Sequence, residues 1–360
     1  MPHADGMRVR WEVRAADQWA ALAGAWDSVN AACGALPFHE SRFMSPLLEC
    51  FGTGDETIAL AHRGSTPVAA ALLSRGGATS IATFQPSQLP LGPWLVAAGE
   101  DRAALAADLL RHLPGRNLML ALTQLDPRLH PRPEPTPSLE TLDYIDTAWI
   151  DVAGTYDAYW EARGKNLRTN MRKQRSKLQA EGVTVAFDTL TGQADMAAAV
   201  AEYGRLEAAG WKAERGTAVE ARDAQGRFYR SMLEQFCAVG RGRVWRLRFD
   251  DKVVAMDLCI EGGDTLVVLK TAFDPEYRSV SPAFLMKQDA FRDVFDEGRI
   301  RRIEFYGRLM EWHTRWTTQS RTLYHANVYR WAMVARLREQ WHRVVTRTRR
   351  AAEPSPAPTA

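Results

Sequence analysis

Three residues in the last third of the chain have types that suit a charged site beside a phosphate: Asp257, Lys270 and Arg278. A carboxylate can take up a proton, an ammonium can offset negative charge, and a guanidinium can hold a phosphate. Asp257 and Lys270 fall on a predicted hairpin, KVVAMDLCIEGGDTLVVLKTAF. With Gly262-Gly263 read as a two-residue turn, Asp257 faces Val268 and Ala255 faces Lys270, so the two charges are diagonal neighbours on one face of the sheet. A slip of one residue would separate them. Such a half-buried pair in a central strand serves either the structure or an active site. Next come DPEYRSVSP and a predicted helix, AFLMKQDAFRDVFDEG. Ser281 is the expected N-cap, Pro282 the first helical residue, and the free N–H groups after them, with Arg278 alongside, form an expected pyrophosphate site.

Several classes of chemistry lack their signatures. There is no G-x-x-x-x-G-K-[ST] phosphate loop and no G-x-S-x-G elbow. The eight histidines show neither H-x-x-x-H nor H-E-x-x-H spacing, so no metal is expected. The four cysteines, Cys33, Cys50, Cys237 and Cys259, form no C-x-x-C pair and read as reduced, buried thiols. No apolar run reaches the ~18 residues of a membrane span. With no apolar leader in MPHADGMRVRWEV, the expected location is the cytoplasm.

The elements that must position these residues repeat in outline. From residue 8, WEVR precedes a helical stretch in which Trp19, Leu22 and Trp26 form one apolar stripe. FHESRFMSPLLECF reads as a second helix, TIALAHRGSTPVAAALLSRG as two strands, LPLGPWLV as loop, AALAADLLRHLPG as a helix and LMLALTQL as a buried strand. After a Pro-rich connector, YIDTAWIDVAG reads as a strand and TYDAYWEARGKNLRTNMRKQRSKLQAEG as one long helix. Strand, two helices, three strands, helix and strand follow, then TLYHANVYR. The fold class expected is α/β (α+β): two tandem domains, 8–145 and 146–335, each a mixed sheet flanked by helices. A basic helix over 336–350 and a disordered Pro/Ala tail over 351–360 complete the expectation.

The net charge of +3 is small, but it is unevenly placed. Residues 161–180 hold seven basic side chains against Glu161, and 336–350 hold six arginines against Glu339. Arg168, Arg172 and Arg175 share one helix face by their spacing. Either segment could be a solvated helix or could bind a phosphate-rich partner.

Taken together, Glu207-x-x-x-Trp211-Lys212, Arg163-Gly-Lys-Asn-Leu-Arg168, Lys270-Thr-Ala-Phe-Asp274, Ser281-Pro282-Ala283, RIEFYG (302–307) and EWHTRW (311–316) resemble known motifs. They are similar to those of GNAT-superfamily acetyltransferases associated with bacterial cellulose and exopolysaccharide synthesis, which are related to FemAB-like aminoacyltransferases. Three departures stand out. Ala283 replaces the usual Gly, Glu304 replaces the frequent Asp, and the R/Q-x-x-G-x-G/A loop is absent. The resemblance implies two GNAT-like domains with the chemistry in the second. It implies transfer of an acyl group, most simply acetyl, from acyl-CoA to an amine or hydroxyl of a small molecule or glycan. Asp257, Lys270 and Glu304 would be catalytic. Arg278, Ser281, Pro282, Ala283 and Arg168 would hold the cosubstrate, and Glu207, Trp211, Lys212, Tyr306, His313 and Trp316 would line the substrate pocket. The alternatives are a FemAB-like transferase using aminoacyl-tRNA, with tRNA and peripheral membrane contacts, or a non-catalytic partner of a polysaccharide synthesis complex.

Overall fold

Alternating apolar stretches and turn residues organise the first part of the chain into β1 (Val9–Ala15), α1 (Trp19–Ala32), α2 (Ser41–Phe51), β2 (Thr57–Arg63), β3 (Thr66–Gly77), β4 (Ser80–Thr83), β5 (Trp94–Val96), α3 (Arg102–His112) and β6 (Met119–Leu125). The second part forms β7 (Leu139–Asp151), α4 (Tyr156–Glu161), α5 (Lys165–Ala180), β8 (Val185–Leu190), α6 (Met196–Ala209) and α7 (Ala224–Cys237). It continues with β9 (Gly242–Phe249), β10 (Lys252–Gly262), β11 (Thr265–Phe273), α8 (Pro282–Glu297), β12 (Arg302–Glu304), α9 (Glu311–Trp316) and β13 (Ser320–Tyr329). This computed structural model describes residues 8–209 and 223–340.

Among the described residues thirteen strands join in one mixed sheet, in the order β1-β2-β3-β4-β6-β13-β7-β12-β11-β10-β9-β8, with β5 beside β3. The order reads alike from both ends. Each half starts with four antiparallel strands, then makes a parallel pair through a crossing helix: β4 with β6 through α3, and β11 with β12 through α8. Both parallel pairings last three residue pairs. The final strands have changed places. β7 follows β6 in sequence yet pairs with β12, and β13 follows β12 yet pairs with β6. The two then pair with each other at the centre. The expected boundary at 145/146 falls inside β7.

The hydrophobic patterns place helices on both faces. One core lies between the halves and contains Trp26, Phe38 and Phe43 from the first with Phe228, Met232 and Phe236 from the second. Phe43 meets Phe228 edge to face at 5.1 Å. A second core covers the other face of the second half, where Leu285, Phe291 and Val294 of α8 meet Ala255 and Cys259 of β10. β10 is therefore covered on both faces, which is why its sequence lacks a polar alternation.

Some local expectations change. The single long helix is two, α4 and α5, broken around Gly164, whose backbone is non-helical. LPLGPWLV contributes a short strand, β5, and EWHTRW is a helical turn and a half, α9. β12 is only three residues long. Residues 332–340 are helical, and the remainder of the expected basic helix and the tail lie outside the described residues. All four cysteines are unbridged, but Cys33 and Cys50 are only partly buried. No helix among the described residues is long and apolar enough to cross a membrane.

Candidate active site

The hairpin register decides where the charges go. The turn is Gly263-Asp264, with Gly262 paired to Thr265, not Gly262-Gly263 as expected. Gly263 takes the positive φ, 56°, that such a turn needs. Gly262 is required for another reason: a Cβ there would stand 2.7 Å from the Ala35 carbonyl oxygen. Further along, a β-bulge between Leu258 and Cys259 leaves Leu269 without an opposite number. Asp257 therefore faces Thr271, and Lys270 faces Leu258. The expected Asp257–Lys270 neighbour pair does not form.

Each charge finds another partner, on opposite faces of the same two strands. Lys270 lies 3.4 Å from Glu207 Oε1, and its ammonium stands 5.5 Å from the centre of the Tyr229 ring. Tyr203 donates its hydroxyl to the same Glu207 oxygen at 3.2 Å, and burial pushes Tyr203 well above the usual phenol value. Trp211 and Lys212, the rest of that motif, lie outside the described residues. Asp257 accepts from Lys287 of α8, which also donates to Thr271 Oγ1 at 3.1 Å. The other Asp257 oxygen is buried without a hydrogen-bond partner. Lys287 was not among the expected site residues. Its signal lies in the helix: it shares a stripe with Ala290, Phe291 and Val294, where a charge has no place unless it has a partner.

Above Lys287 the sheet opens. β11 and β12 pair only from Thr265–Arg302 to Val267–Glu304. β11 then runs on to Phe273 while β12 ends. Beside this end of β11 and the start of α8 is a groove of about 530 Å³ lined by Thr271, Phe273, Arg278, Ser281, Pro282, Ala283, Phe284, Lys287 and Trp312. A neighbouring groove of about 450 Å³ shares Ser281, Phe284 and Trp312 and is walled by Asn166 and Asn170 of α5. The start of α8 thus stands between two open spaces. Ser281 occupies the N-cap position, but in a left-handed conformation (φ 53°) with no side-chain capping bond, unlike the expected cap. Pro282 has no N–H, and the amides of Phe284 and Leu285 both turn back to the Ser281 carbonyl, at 3.0 and 3.2 Å.

The corresponding place in the first half is shut. Thr83 and Thr123 hydroxyls meet at 2.5 Å across β4 and β6, and Gln85 accepts from Thr123 at 2.9 Å. The chain crosses so closely that a Cβ on Gly92 would lie 2.2 Å from the Thr123 carbonyl oxygen.

Glu304 is not free to face either groove. It takes Arg128 on one oxygen and Arg321 on the other, each at 2.9 Å. Arg321 also holds both oxygens of Asp126 from the first half, at 2.9 and 2.6 Å. Burial raises Glu304 above the ordinary carboxyl value, against the pull of Arg321. Tyr306 lies in the same network with a left-handed φ of 50°, its hydroxyl 3.4 Å from Asp126. Of the remaining expected residues, Arg168 donates to the Arg163 carbonyl at 3.2 Å and Arg278 is exposed at the groove. Trp316 is core, stacked on Phe284. His313 is buried and accepts the Met310 amide on Nδ1 at 2.9 Å; burial lowers it to about 4. Among the described residues no group of His, Cys, Asp and Glu is arranged to hold a metal.

Residues 165–314 match the model of the Acetyltransferase (GNAT) domain. That stretch runs from α5 into α9 and contains both ion pairs and the groove. The match falls in the second half of the mixed sheet and the helices that flank it. A structure named as the C-terminal domain of a lysylphosphatidylglycerol synthetase from Agrobacterium fabrum superposes with TM-score 0.53 at 14% identity, over 83% of this chain and 93% of that one. FemX gives 0.50 at 9% identity, over 85% and 91%. L-PGS from Bacillus licheniformis gives 0.50 at 10%, over 86% and 91%. No curated protein matches the sequence.

Proposed function

We propose that the chain is an acyltransferase whose second half moves an acyl group from a CoA thioester to an amine or hydroxyl. The observation that carries this reading is the parting of β11 and β12 over Lys287, beside the start of α8. The acceptor nitrogen or oxygen attacks the thioester carbonyl carbon, the carbon–sulfur bond breaks, and the proton lost by the acceptor ends on the thiolate. Lys287 faces the groove and is the group suited to offset charge on the carbonyl oxygen; Asp257 keeps that ammonium in place. Arg278 at the rim suits the phosphates. Lys270 and Glu207 suit the acceptor side of the sheet, with Tyr306 deeper. The likeness of the 207–316 motifs to exopolysaccharide-associated transferases makes a glycan amine or hydroxyl the acceptor we favour. The division into domains at 8–145 and 146–335 we keep as a functional one: the first half supports, and the second reacts.

A specific observation favours a second reading, transfer from aminoacyl-tRNA. The start of α8 offers few free amides for a pyrophosphate, because Pro282 has none and Phe284 and Leu285 spend theirs on Ser281. α5 exposes Lys165, Arg172, Lys173 and Lys177. The fold neighbours named for lysylphosphatidylglycerol synthesis fit this alternative too. Melting curves with acetyl-CoA, longer acyl-CoAs and CoA separate the two. A rise in melting temperature that saturates with ligand supports the first reading. No rise with any of them, together with salt-sensitive retention of tRNA, rejects it in favour of the second.

A further inference from the structure

The helical segment 332–340 is turned inside out relative to an ordinary surface helix. Its half-buried side carries Ala332, Val334, Ala335 and Arg338, and its outward side carries Met333 and Leu337, 65% and 58% exposed. Trp331, immediately before it, is 56% exposed. A helix packed for stability alone would turn the two long apolar side chains inward. The exposed face also carries a cation, Arg336, beside Met333 and Leu337. Half-buried Arg338, which contacts Met119 Sδ, lines with Arg336, Glu140 and Glu339 a groove of about 520 Å³ whose other wall includes the exposed Leu142. The sequence continues this composition, with six arginines against one glutamate over 336–350.

From this we infer that the 331–340 segment is a docking surface for an anionic lipid bilayer, with Trp331, Met333 and Leu337 entering the headgroup region and Arg336 meeting lipid phosphates. Charge complementarity selects the occupant. A basic face alone would suit RNA equally, but an outward row of Trp, Met and Leu gains free energy only where it leaves water, which a bilayer interface provides. A second copy of the chain would present the same positive charge to itself. The inference does not depend on which acyl donor the groove takes.

The test uses the full chain with sedimented vesicles of phosphatidylcholine alone or with one third phosphatidylglycerol. The expected result is binding to the mixed vesicles only, a blue shift of Trp fluorescence, and a drop of about tenfold or more in the Met333→Glu/Leu337→Glu variant with an unchanged melting temperature. Arg336→Gln should bind more weakly and show a reduced salt dependence. The proposal is overturned if the wild-type chain does not sediment with mixed vesicles, or if the Glu variant sediments equally. It is also overturned if the Glu variant instead converts a dimer to a monomer or abolishes tRNA binding while vesicle binding is unchanged.

Discussion

Lys287 donates to Asp257 beneath the groove, and the two side chains are 2% and 0% exposed. Two opposite charges removed from water stay only while both are present. Lys287→Met alone should lower stability by about 3–5 kcal/mol, since it leaves a buried carboxylate uncompensated. The double variant Lys287→Met/Asp257→Leu should recover most of that loss in urea unfolding. It should still turn over at roughly a hundredth of the wild-type rate or less. Recovery of both fold and rate would make the pair purely structural.

On the other face, Lys270 and Glu207 are 3.4 Å apart. Lys270→Met and Glu207→Gln should couple by about 1–2 kcal/mol in a double-mutant cycle on stability. If the pair serves the acceptor, kcat/KM should show coupling of similar size. Additive effects on rate would remove the pair from the site.

Arg278 stands exposed at the groove and holds no element in place. Arg278→Ala should raise KM for an acyl-CoA by about tenfold with kcat unchanged, the mark of a contact equal in ground and transition states. Steady-state kinetics with the acceptor saturated would read this directly.

Arg321 binds Asp126 and Glu304 at the meeting of the two halves. Arg321→Met would leave buried Asp126 without its guanidinium and Glu304 with Arg128 in its place, with an expected loss of about 3–5 kcal/mol. Calorimetry should also show an unfolding transition broader than that of the wild type, or split in two. A melting temperature within a degree or so of wild type would mean the network has another source of support.

Acid should weaken the first half through its imidazoles. Burial lowers His39 to about 4 and His130 to about 3. In the unfolded chain each titrates near 6.5, so between these values the unfolded state holds the extra proton and stability falls as pH drops. For His39 alone the loss on acidifying from about pH 6.5 to 4 is about 3 kcal/mol. His39 Nε2 lies 3.2 Å from the Leu91 carbonyl oxygen, a contact that glutamine can reproduce. Unfolding of His39→Gln between pH 4 and 7 should have a shallower slope; an unchanged slope would assign the acid sensitivity elsewhere.

Much of this arrangement was legible in local sequence, and the misses share a cause. The hairpin, Arg278, the Ser281-Pro282 helix start and α8 follow from turn chemistry and periodicity. The register did not, because Gly262 is a glycine to clear Ala35 and Pro37 of the other half, a contact more than two hundred residues away. Read locally, it looked like a turn residue, and the error put Asp257 beside Lys270. Lys287 was visible as a charge on an apolar stripe, but its partner could be named only once the register was known. Glu304 keeps its charge and its strand, yet its partner Arg128 comes from the first half, as does Asp126, with which it shares Arg321. The order of strands was hidden for the same reason, since pairing between distant segments leaves no periodic trace.

The exchange of β7 and β13 has a consequence for how the molecule could be divided. Neither half owns a full set of its own strands, so the half with the groove is not a portable module. A truncation that begins at the connector would leave β13 with no β6 to lie against and an open sheet edge at the middle of the molecule. Severing the loop around residues 127–138 while keeping both pieces should instead give two fragments that find and complete each other, as partners in a handshake do.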